Sequence, residues 1–407
     1  MSTQSFADLG VSRAVGDALS KRGFTEPFAI QKLVIADVLA GRDVLAKSPT
    51  GSGKTLAFAV PIADRIEATD ARPAALILAP TRELATQIVE ESRSVAHARA
   101  LSIASVYGGV GIEKQAREAR KAHIVVATPG RLEDLIARRA ISLANVQILV
   151  LDEADRMLDM GFRPPVDRIV ALCPRDRQTL FFSATLDGEA GRVALEYTSD
   201  GVRHEHVPTQ QRTADVEHRF IAAERDDRID KLVRELDVER DLALVFVRTK
   251  RGADRLTKRL NASGVAAVAM HGDKSQRQRE RALSDFEAFK VDTLVATDVA
   301  ARGIDVSDIS HVINFDAPED REGYVHRVGR TARAGRKGIG ITFVSAEQAR
   351  DVRRIASELR LEEAFDASGL HVAQPSRSHV GSGTRSGSRR NRPARSGSGN
   401  GRVSGRR

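Results

Sequence analysis

The sequence has no tryptophan, a single cysteine and few aromatic residues of any kind. Aromatic residues make up 4% of the 407 residues, so a surface that stacks many nucleic-acid bases is not expected. Cys173 has no second cysteine with which to form an internal disulfide, which favours a cytoplasmic location. We expect it to be a small buried or loop residue without a catalytic role.

Long apolar runs are also missing. No stretch approaches the roughly 20 residues that a membrane-spanning helix needs, and the N-terminus has neither the positive segment nor the apolar core of a secretory signal. These absences predict a cytoplasmic protein with no membrane partner. The apolar fraction of 41% and the charged fraction of 29% are typical of globular proteins. A chain of this length exceeds what one core usually organises, so two domains are expected.

Acidic residues and lysine are absent from residues 371–407, which hold nine arginines among serine and glycine. Removing those nine from the 64 basic residues leaves 55, equal to the 55 acidic residues, so the net charge of +9 belongs to this tail. With little apolar surface to bury, the tail is predicted to be disordered. Arginine suits phosphate forks and base stacking, which favours an anionic polymer as partner, and protein partners can also bind there. The alternative is that the tail only improves solubility.

Short β-branched runs alternate with amphipathic stretches from about residue 25 to residue 345, which predicts parallel sheets with helical crossovers. The fold class is therefore α/β, with two tandem doubly wound parallel-sheet domains. We place the first domain at residues 1–200, a linker at 201–214, the second domain at 215–365 and the disordered basic tail at 371–407. The predicted strands are Asp43–Ala46, Ala75–Ala79, Ile103–Tyr107, Ile124–Ala127, Ile148–Leu151, Thr179–Phe182, Glu217–Ile221, Leu244–Val247, Ala266–Met270, Thr293–Ala296, His311–Phe315 and Gly340–Val344.

A glycine-rich segment follows the first predicted strand and precedes an apolar, helix-like stretch. Backbone N–H groups of such a loop can surround a phosphate, Lys54 can reach the β- and γ-phosphates, and the Thr55 hydroxyl can hold Mg²⁺. The strict pattern would have glycine where Ser48 stands. The predicted nucleotide-binding residues of the loop are Gly51, Ser52, Gly53, Lys54 and Thr55.

Two carboxylates stand at the end of the predicted strand Ile148–Leu151. Asp152 at the tip of a buried strand can bind Mg²⁺, and Glu153 can orient and deprotonate an attacking water. Acidic clusters are usually solvated turns, but this one follows six mostly apolar residues. The sequence therefore predicts a nucleoside-triphosphate site with Mg²⁺.

With the tetrad Asp152-Glu-Ala-Asp155 in place, the sequence resembles the DEAD-box helicases of superfamily 2 over residues 5 to 345. The resemblance implies two RecA-like domains, ATP and Mg²⁺ as cofactors, RNA as partner and ATP hydrolysis coupled to RNA. The short body with a basic tail is similar to bacterial helicases of the RhlE kind. We expect a monomer.

The resemblance also implies roles for individual residues. Phe24 would stack on the adenine and Gln31 would hydrogen-bond its edge, although Phe28-Ala29 stands where Thr-Pro is usual. Asp305 would contact the ribose. Segments that follow strands and offer hydroxyl, guanidinium or backbone N–H groups suit contact with the RNA backbone. The residues implied to contact RNA are Pro80, Thr81, Arg82, Gly109, Thr128, Pro129, Gly130, Arg131, Gly272, Thr297 and Gly303. Those implied to couple ATP state to RNA binding are Ser183, Thr185, His326 and Arg327.

Two arginines near the end of the second domain complete the predicted catalytic set. Arg330 and Arg333 are spaced one helical turn apart, so they could share a helix face and present two planar donors to the γ-phosphate. The alternative is a basic surface helix neutralised by acids such as Asp320 and Glu322. We favour the arginine finger, because the phosphate loop lies on the other domain and a two-domain enzyme needs a part that acts only on closure.

The predicted function is an RNA-stimulated ATPase that locally unwinds or remodels short RNA duplexes and ribonucleoproteins. An ATP-dependent clamp or annealing factor with little unwinding is the first alternative, since it would use the same residues. An ATPase that acts on DNA and a small-molecule kinase are the others; the kinase leaves the second domain's arginine motif unexplained.

Overall fold

Two parallel β-sheets, each flanked by helices, form the body of the protein. The computed structural model describes residues 4–48, 52–206, 216–301, 304, 306, 308–332 and 336–370. The predicted linker between the sheets lies partly outside these ranges, and the basic tail lies entirely outside them. Below, the described residues up to 206 are called the first lobe and those from 216 the second lobe.

The first lobe contains seven strands and nine α-helices among its described residues. Its strands are β1 Val44–Lys47, β2 Ala75–Leu78, β3 Ile103–Val106, β4 Ile124–Ala127, β5 Ile148–Leu151, β6 Gln178–Ser183 and β7 Val202–Glu205. Its helices are α1 Arg13–Lys21, α2 Ala29–Leu39, α3 Lys54–Arg65, α4 Arg82–Ala98, α5 Ile112–Lys121, α6 Pro129–Ala137, α7 Ala154–Asp159, α8 Arg163–Ala171 and α9 Gly188–Tyr197. The sheet order is β3-β4-β2-β5-β6-β1-β7, and all pairs are parallel.

The second lobe repeats this plan with a six-stranded parallel sheet. Its strands are β8 Val216–Ala222, β9 Leu242–Phe246, β10 Ala267–Met270, β11 Thr293–Ala296, β12 Ile309–Asn314 and β13 Gly338–Val344, in the order β10-β11-β9-β12-β13-β8. Its described helices are α10 Arg228–Leu236, α11 Lys250–Ala262, α12 Gln276–Glu287, α13 Asp298–Ala301, α14 Arg321–Val328, α15 Ala349–Glu358 and α16 Glu362–Asp366. The predicted α/β fold with two parallel-sheet domains is confirmed, and each predicted strand is present within two residues of its expected bounds.

Alternation along the strands places apolar side chains on both faces of each sheet. In β2, Ala75 and Ile77 join one buried cluster while Leu76 and Leu78 join another. Successive side chains of a strand point to opposite faces, so a strand covered by helices on both faces is apolar throughout. This is why short apolar runs were sufficient to locate the strands. No helix in the described ranges is long and apolar enough to cross a membrane.

The predicted linker was wrong in one respect, because its beginning belongs to the first sheet. Strand β7 pairs with β1 in parallel, with Val202 opposite Val44. Its residues alternate between half-buried and exposed, as expected for an edge strand with one wet face. A polar edge strand has no apolar run, so the sequence pattern did not reveal it. His204 anchors the strand to α2 through a 2.5 Å contact with Asp37.

Candidate functional site

The carboxyl ends of the first-lobe strands carry most of the predicted site residues. The phosphate loop follows β1, Asp152 directly follows β5, and Ser183 ends β6. Strands β5, β6 and β1 are neighbours in the sheet, so these three segments meet at one edge. Parallel α/β sheets bind their ligands at this edge. The strand order therefore brings together three segments that lie far apart in the sequence.

The described part of the phosphate loop is tightly packed against α2. Gly53 has a φ of +87°, and a Cβ at this position would lie 2.7 Å from the Phe28 ring and 2.8 Å from the Gln31 amide nitrogen. Only glycine fits both the backbone conformation and the space. Buried Lys54 begins α3, and its ammonium donates to the Ser48 carbonyl at 3.0 Å. Gly51 lies outside the described residues.

The two residues predicted to bind adenine are placed differently. Gln31 is buried, accepts from the Phe28 backbone N–H at 2.9 Å and donates to the Gly53 carbonyl at 3.0 Å, so it joins α2 to the phosphate loop. Phe24 is partly buried against the first-lobe core, and the Arg22 guanidinium lies 5.1 Å from its ring centre. The adenine contacts stay a prediction. Asp305, the predicted ribose ligand, lies outside the described residues.

Asp152 and Glu153 are both buried at the end of β5, with exposed fractions of 2% and 3%. Glu153 has a φ of +51°, a left-handed conformation that is uncommon for residues other than glycine. It caps the start of α7 and accepts a hydrogen bond from Arg156 at 2.8 Å. This backbone conformation directs the carboxylates of Asp152 and Glu153 to different partners.

The electrostatic surroundings separate the two carboxyl groups. Burial raises the pKa of Asp152 to about 6, although the nearby Lys54 charge opposes the rise. The pKa of Glu153 is lowered to about 2, because the positive charges of Arg156, Lys54, Arg330 and His326 together outweigh the effect of burial. Glu153 is therefore ionised. The positive charge around Asp152 is too small to offset the cost of burying its ionised form, so its pKa stays raised.

The third acid of the tetrad joins this site to β6. The Ala184 backbone N–H donates to the Asp155 carboxylate at 3.2 Å, and the Thr185 N–H donates to the Ser183 hydroxyl at 3.3 Å. Ser183 is fully buried. A shift of Asp155 would therefore move the Ser183–Thr185 segment directly. This contact supplies a physical link between the two predicted elements.

Arg82 and the Gly108-Gly109 turn pack against each other at the same edge. A Cβ on Gly109, whose φ is +91°, would lie 2.3 Å from the Arg82 Nη1 atom, and one on Gly108 would lie 3.3 Å from Nη2. Arg131 supports the turn by donating to the Val110 carbonyl at 3.1 Å. The remaining first-lobe residues predicted to contact RNA surround this turn at helix starts: Pro80 and Thr81 precede α4, Thr128 precedes α6, and Pro129 and Gly130 begin it.

A buried ion pair joins the two lobes beside this turn. The Arg279 Nη2 atom on α12 lies 2.7 Å from the Glu83 Oε1 atom on α4, with both side chains under 10% exposed. The two charges meet without a well-aligned hydrogen bond. Burial raises the pKa of Glu83 despite the opposing charge of Arg279. The position of Gly109 is also close to α12, since its Cβ would lie 3.6 Å from that of Gln276.

In the second lobe, Arg327 ties three predicted segments together. Its guanidinium makes paired contacts of 2.6 and 2.7 Å with Asp298 and stacks 5.1 Å from the Phe246 ring centre. Asp298 directly follows Thr297, which is nearly buried. Arg327 is thus placed to couple the Thr297 segment to α14. Gly272 lies in the turn after β10, beside the Lys250 side chain.

Arg330 is buried and lies close enough to Glu153 for its charge to lower that pKa. Its Nη1 group donates to the Ile304 carbonyl at 2.9 Å and its Nε to the His326 carbonyl at 3.2 Å. The idea of two arginines on one helix face was wrong, because α14 ends at Val328 and Arg330 lies in the turn beyond it. Gly329 is the C-cap residue of this helix, and the chain continues beyond it as a turn. Arg333 and Gly303 lie outside the described residues.

Two features of the site were not predicted. Arg156 is only 2% exposed and contacts Glu153, and three-residue spacing on a helix was the available signal. The Glu83–Arg279 pair joins positions far apart in the chain, so no local pattern could reveal it. Cys173, by contrast, lies away from the site in a buried position, and burial raises the pKa of its thiol to about 11.

Comparison with known proteins gives the same assignment for both lobes. The family described as DEAD/DEAH box helicase matches residues 28–193, and the helicase conserved C-terminal domain matches residues 225–335. The chain is 41% identical over 345 residues to the DEAD-box ATP-dependent RNA helicase CshA of Geobacillus kaustophilus, which covers 84% of this chain and 74% of the relative. The RhlE-like placement stays a prediction.

Two solved structures are similar to different degrees. Dbp5 of S. cerevisiae bound to RNA and ADP BeF3 matches with a TM-score of 0.80 at 28% identity, over 90% of this chain and 100% of that chain. A DEAD box protein of Methanococcus jannaschii is 38% identical but matches with a TM-score of 0.51, over 88% and 97%. Both lobes are RecA-like, and the chain belongs to the family of DEAD-box ATP-dependent RNA helicases.

Proposed function

We propose that this ATP-dependent RNA helicase separates or remodels short stretches of RNA in single closing and opening cycles. The observation that carries the proposal is that residues from both lobes share one buried site. The positive charge of Arg330 in the second lobe helps to lower the pKa of Glu153 in the first. A site that is complete only when the lobes meet makes hydrolysis depend on closure. The chain matches Dbp5 bound to RNA and ADP BeF3 over 90% of its length with a TM-score of 0.80, which supports binding of RNA and nucleotide by lobes arranged as they are here.

Mg²⁺ fits the residues beside the phosphate loop. Asp152 is a buried carboxylate whose pKa is raised to about 6, so a cation there would relieve its desolvation. No cluster of three or more metal-ligating side chains occurs in the described ranges, which agrees with an ion held by one carboxylate, a hydroxyl and the substrate's own phosphates. Thr55 and Asp152 would hold it. When bound, Mg²⁺ neutralises charge on the β- and γ-phosphates.

The chain's own residues then divide the work of hydrolysis. Lys54 binds the phosphates from the start of α3, where the N-terminus of the helix favours anions. Glu153, held ionised, orients the attacking water and accepts its proton at a carboxylate oxygen. Arg330 stabilises the charge that develops on the γ-phosphate. Asp155 passes the change at the nucleotide to the Ser183–Thr185 segment.

RNA is proposed to bind along the edge formed by Arg82, Gly109 and the turn before α6, and by Thr297 and Gly272 of the second lobe. These groups suit phosphate and sugar atoms, which carry no sequence information. Each stacked base-pair step is worth roughly 1.4 kcal/mol, so one cycle can separate only a short duplex. Low processivity follows, and specificity for an RNA must come from other parts of the chain or from partners.

Glu153→Gln tests the catalytic assignment. The substitution keeps the size of the side chain but removes the base, and we expect RNA-stimulated ATP hydrolysis to fall at least about 10²-fold. The measurement is hydrolysis at fixed salt without nucleic acid, with single-stranded RNA and with matched DNA. The control is Glu113→Gln on the exposed face of α5. Equal stimulation of the intact chain by DNA, or none by either polymer, would sink the RNA-dependent mechanism.

A short-duplex displacement assay separates the helicase from the clamp. The helicase proposal expects ATP-dependent release of a strand from a duplex of about ten base pairs, with a steep decline as the duplex lengthens. An ATP-dependent clamp or annealing factor would bind the RNA and hydrolyse ATP without releasing the strand. Stimulated hydrolysis with no release at any length would replace our proposal with the clamp.

Gly109→Ala tests the proposed RNA edge. A Cβ there would displace the Arg82 guanidinium, and the backbone with its φ of +91° would be strained. We expect the RNA concentration needed for half-maximal ATPase stimulation to rise about five- to thirtyfold, with little change in the KM for ATP. Gly111→Ala is the matched control, since nothing lies within 4 Å of its Cβ position. A similar loss in both variants would mean that Gly109 has no specific role.

A further inference from the structure

A groove of about 520 Å³ opens on the first lobe between α5, α6 and the end of α8. Its rim carries Arg72, Arg120 and Arg139, and its apolar lining includes Ile141, Leu143 and Leu172. No acidic residue lines it. We call this feature the arginine groove.

The arginine groove lies at the opposite edge of the sheet from the ATP site. Arg72 precedes β2, Arg120 lies at the end of α5 before β4, and the segment 141–144 leads into β5. These are the amino-terminal ends of the strands, whereas the phosphate loop and the carboxylates lie at the carboxyl ends. An occupant of the groove would therefore leave the nucleotide and the RNA edge accessible.

The three guanidiniums on the rim are not neutralised by carboxylates in the described part of the chain. Arg120 donates to the Ala140 carbonyl at 2.8 Å, and Arg72 donates to the Lys121 carbonyl at 3.2 Å and to the His123 ring at 3.0 Å. Arg139 is exposed and has a φ of +55°, a conformation at the end of α6 that glycine would adopt more easily. These contacts hold two of the side chains in place without cancelling their charge.

The groove combines this charge with exposed apolar surface. Leu172 is 52% exposed, one of the few large apolar side chains that are so open among the described residues. Guanidiniums bind carboxylates through strong, paired hydrogen bonds, and an apolar floor gains from burying an aromatic or aliphatic side chain. The two requirements together describe a short peptide that carries both.

We propose that the arginine groove docks an acidic peptide segment of a partner protein, with one aromatic or aliphatic side chain of that segment seated against Leu172 and Ile141. The chain's own tail does not fit, because residues 371–407 contain nine arginines and no acid. RNA would satisfy the arginines through its phosphates but leaves the apolar floor uncovered. The docked segment would recruit the helicase to a complex without competing for RNA.

The test uses a fluorescent twelve-residue peptide with aspartates and glutamates on both sides of a central Phe-Leu pair. We expect saturable binding to the full chain by fluorescence anisotropy, weakened at least about tenfold, or about 1.4 kcal/mol, by Leu172→Asp combined with Arg139→Glu. Arg13→Glu is the matched charge control, since its side chain is 95% exposed on α1 away from the groove. RNA-stimulated ATPase activity should be equal in the intact chain and in both variants.

Other results would overturn the proposal. These are no saturable binding, equal binding by a peptide with lysines in place of its acids, or equal loss in the Arg13→Glu control. Displacement of the peptide by saturating single-stranded RNA would assign the groove to nucleic acid instead. If the double variant has a lower Tm, Leu172→Asp alone serves, because a half-exposed side chain can be replaced with little effect on the core.

Discussion

Replacing Arg330 with lysine is expected to lower kcat for RNA-stimulated ATP hydrolysis by about 10³- to 10⁵-fold, the range found for loss of an arginine finger. Lysine keeps the positive charge but not the planar fork that can make two hydrogen bonds to phosphate oxygens at once. Arg330 is also buried, so water cannot replace the contacts that its guanidinium would make and a lysine would not. The effect should therefore appear in kcat far more than in the KM for ATP.

The physical reason lies in how Arg330 is held. Hydrogen bonds to the Ile304 and His326 carbonyls fix the direction of its guanidinium. Its charge reaches Glu153 on the other lobe, so the same residue faces the proposed water-activating carboxylate. A donor fixed before the reaction needs no reorganisation when charge develops, which is where most electrostatic catalysis comes from.

Steady-state hydrolysis at saturating ATP and RNA measures the effect, and binding of a fluorescent ADP analogue checks that the first lobe is intact. Arg321→Lys is the matched control, because Arg321 is exposed at the start of the same helix region. Hydrolysis within about tenfold of the intact chain in Arg330→Lys would mean that Arg330 is a structural residue of its turn. A fall in nucleotide binding of similar size would mean the same.

The fold was predictable because each strand is a short apolar run in a sheet covered on both faces. Runs such as Ile124–Ala127 and Ile148–Leu151 need no neighbours to be recognised. Strand β7 was not predictable. It is an edge strand with one solvent-exposed face, so exposed polar residues interrupt any apolar run. The end of α14 was also missed, because Arg330, Thr331 and Ala332 follow Gly329 with no proline to stop the helix.

The site shows the same division between local and distant information. Asp152 and Glu153 were predicted because a strand tip is a local feature. The opposite shifts in their pKa values depend on the fold, because burial raises the pKa of Asp152 while the charges of Arg156, Lys54 and Arg330 lower that of Glu153. The Gly53 requirement likewise comes from Phe28 and Gln31 in the preceding helix region. Sequence motifs identify the chemical groups of the site, whereas the burial and the charge around those groups depend on how the folded chain packs.

Reversing the charge of Arg279 is the second change with a large expected effect. In Arg279→Glu, two carboxylates would face each other where Glu83 now pairs with a guanidinium at 2.7 Å. Breaking a buried pair in this way costs about 3–5 kcal/mol. Because the pair joins the two lobes, we expect this cost to fall on closure and to lower RNA-stimulated hydrolysis by roughly 10²- to 10⁴-fold at fixed RNA.

The site of the loss can be identified by comparing the two lobes' separate functions. Nucleotide binding to the first lobe should be unchanged, since Lys54, Asp152 and Glu153 are not touched by the substitution. RNA binding should weaken mainly in the presence of a non-hydrolysable ATP analogue, the condition that favours closure. The matched control is Arg281→Glu on the same helix, whose side chain is 83% exposed and lies 3.5 Å from Asp285.

The charge swap Glu83→Arg with Arg279→Glu decides between a specific pair and a general effect of charge. If the pair acts between the lobes, the double variant restores opposite charges across the same gap. It should then hydrolyse ATP at least about tenfold faster than Arg279→Glu. Full recovery is not expected, because the arginine would then extend from α4 beside Arg82 and meet a second positive charge. A double variant no better than Arg279→Glu would show that the two residues act independently. In that case closure depends instead on contacts around Gly109 and Gln276, where the lobes also approach each other.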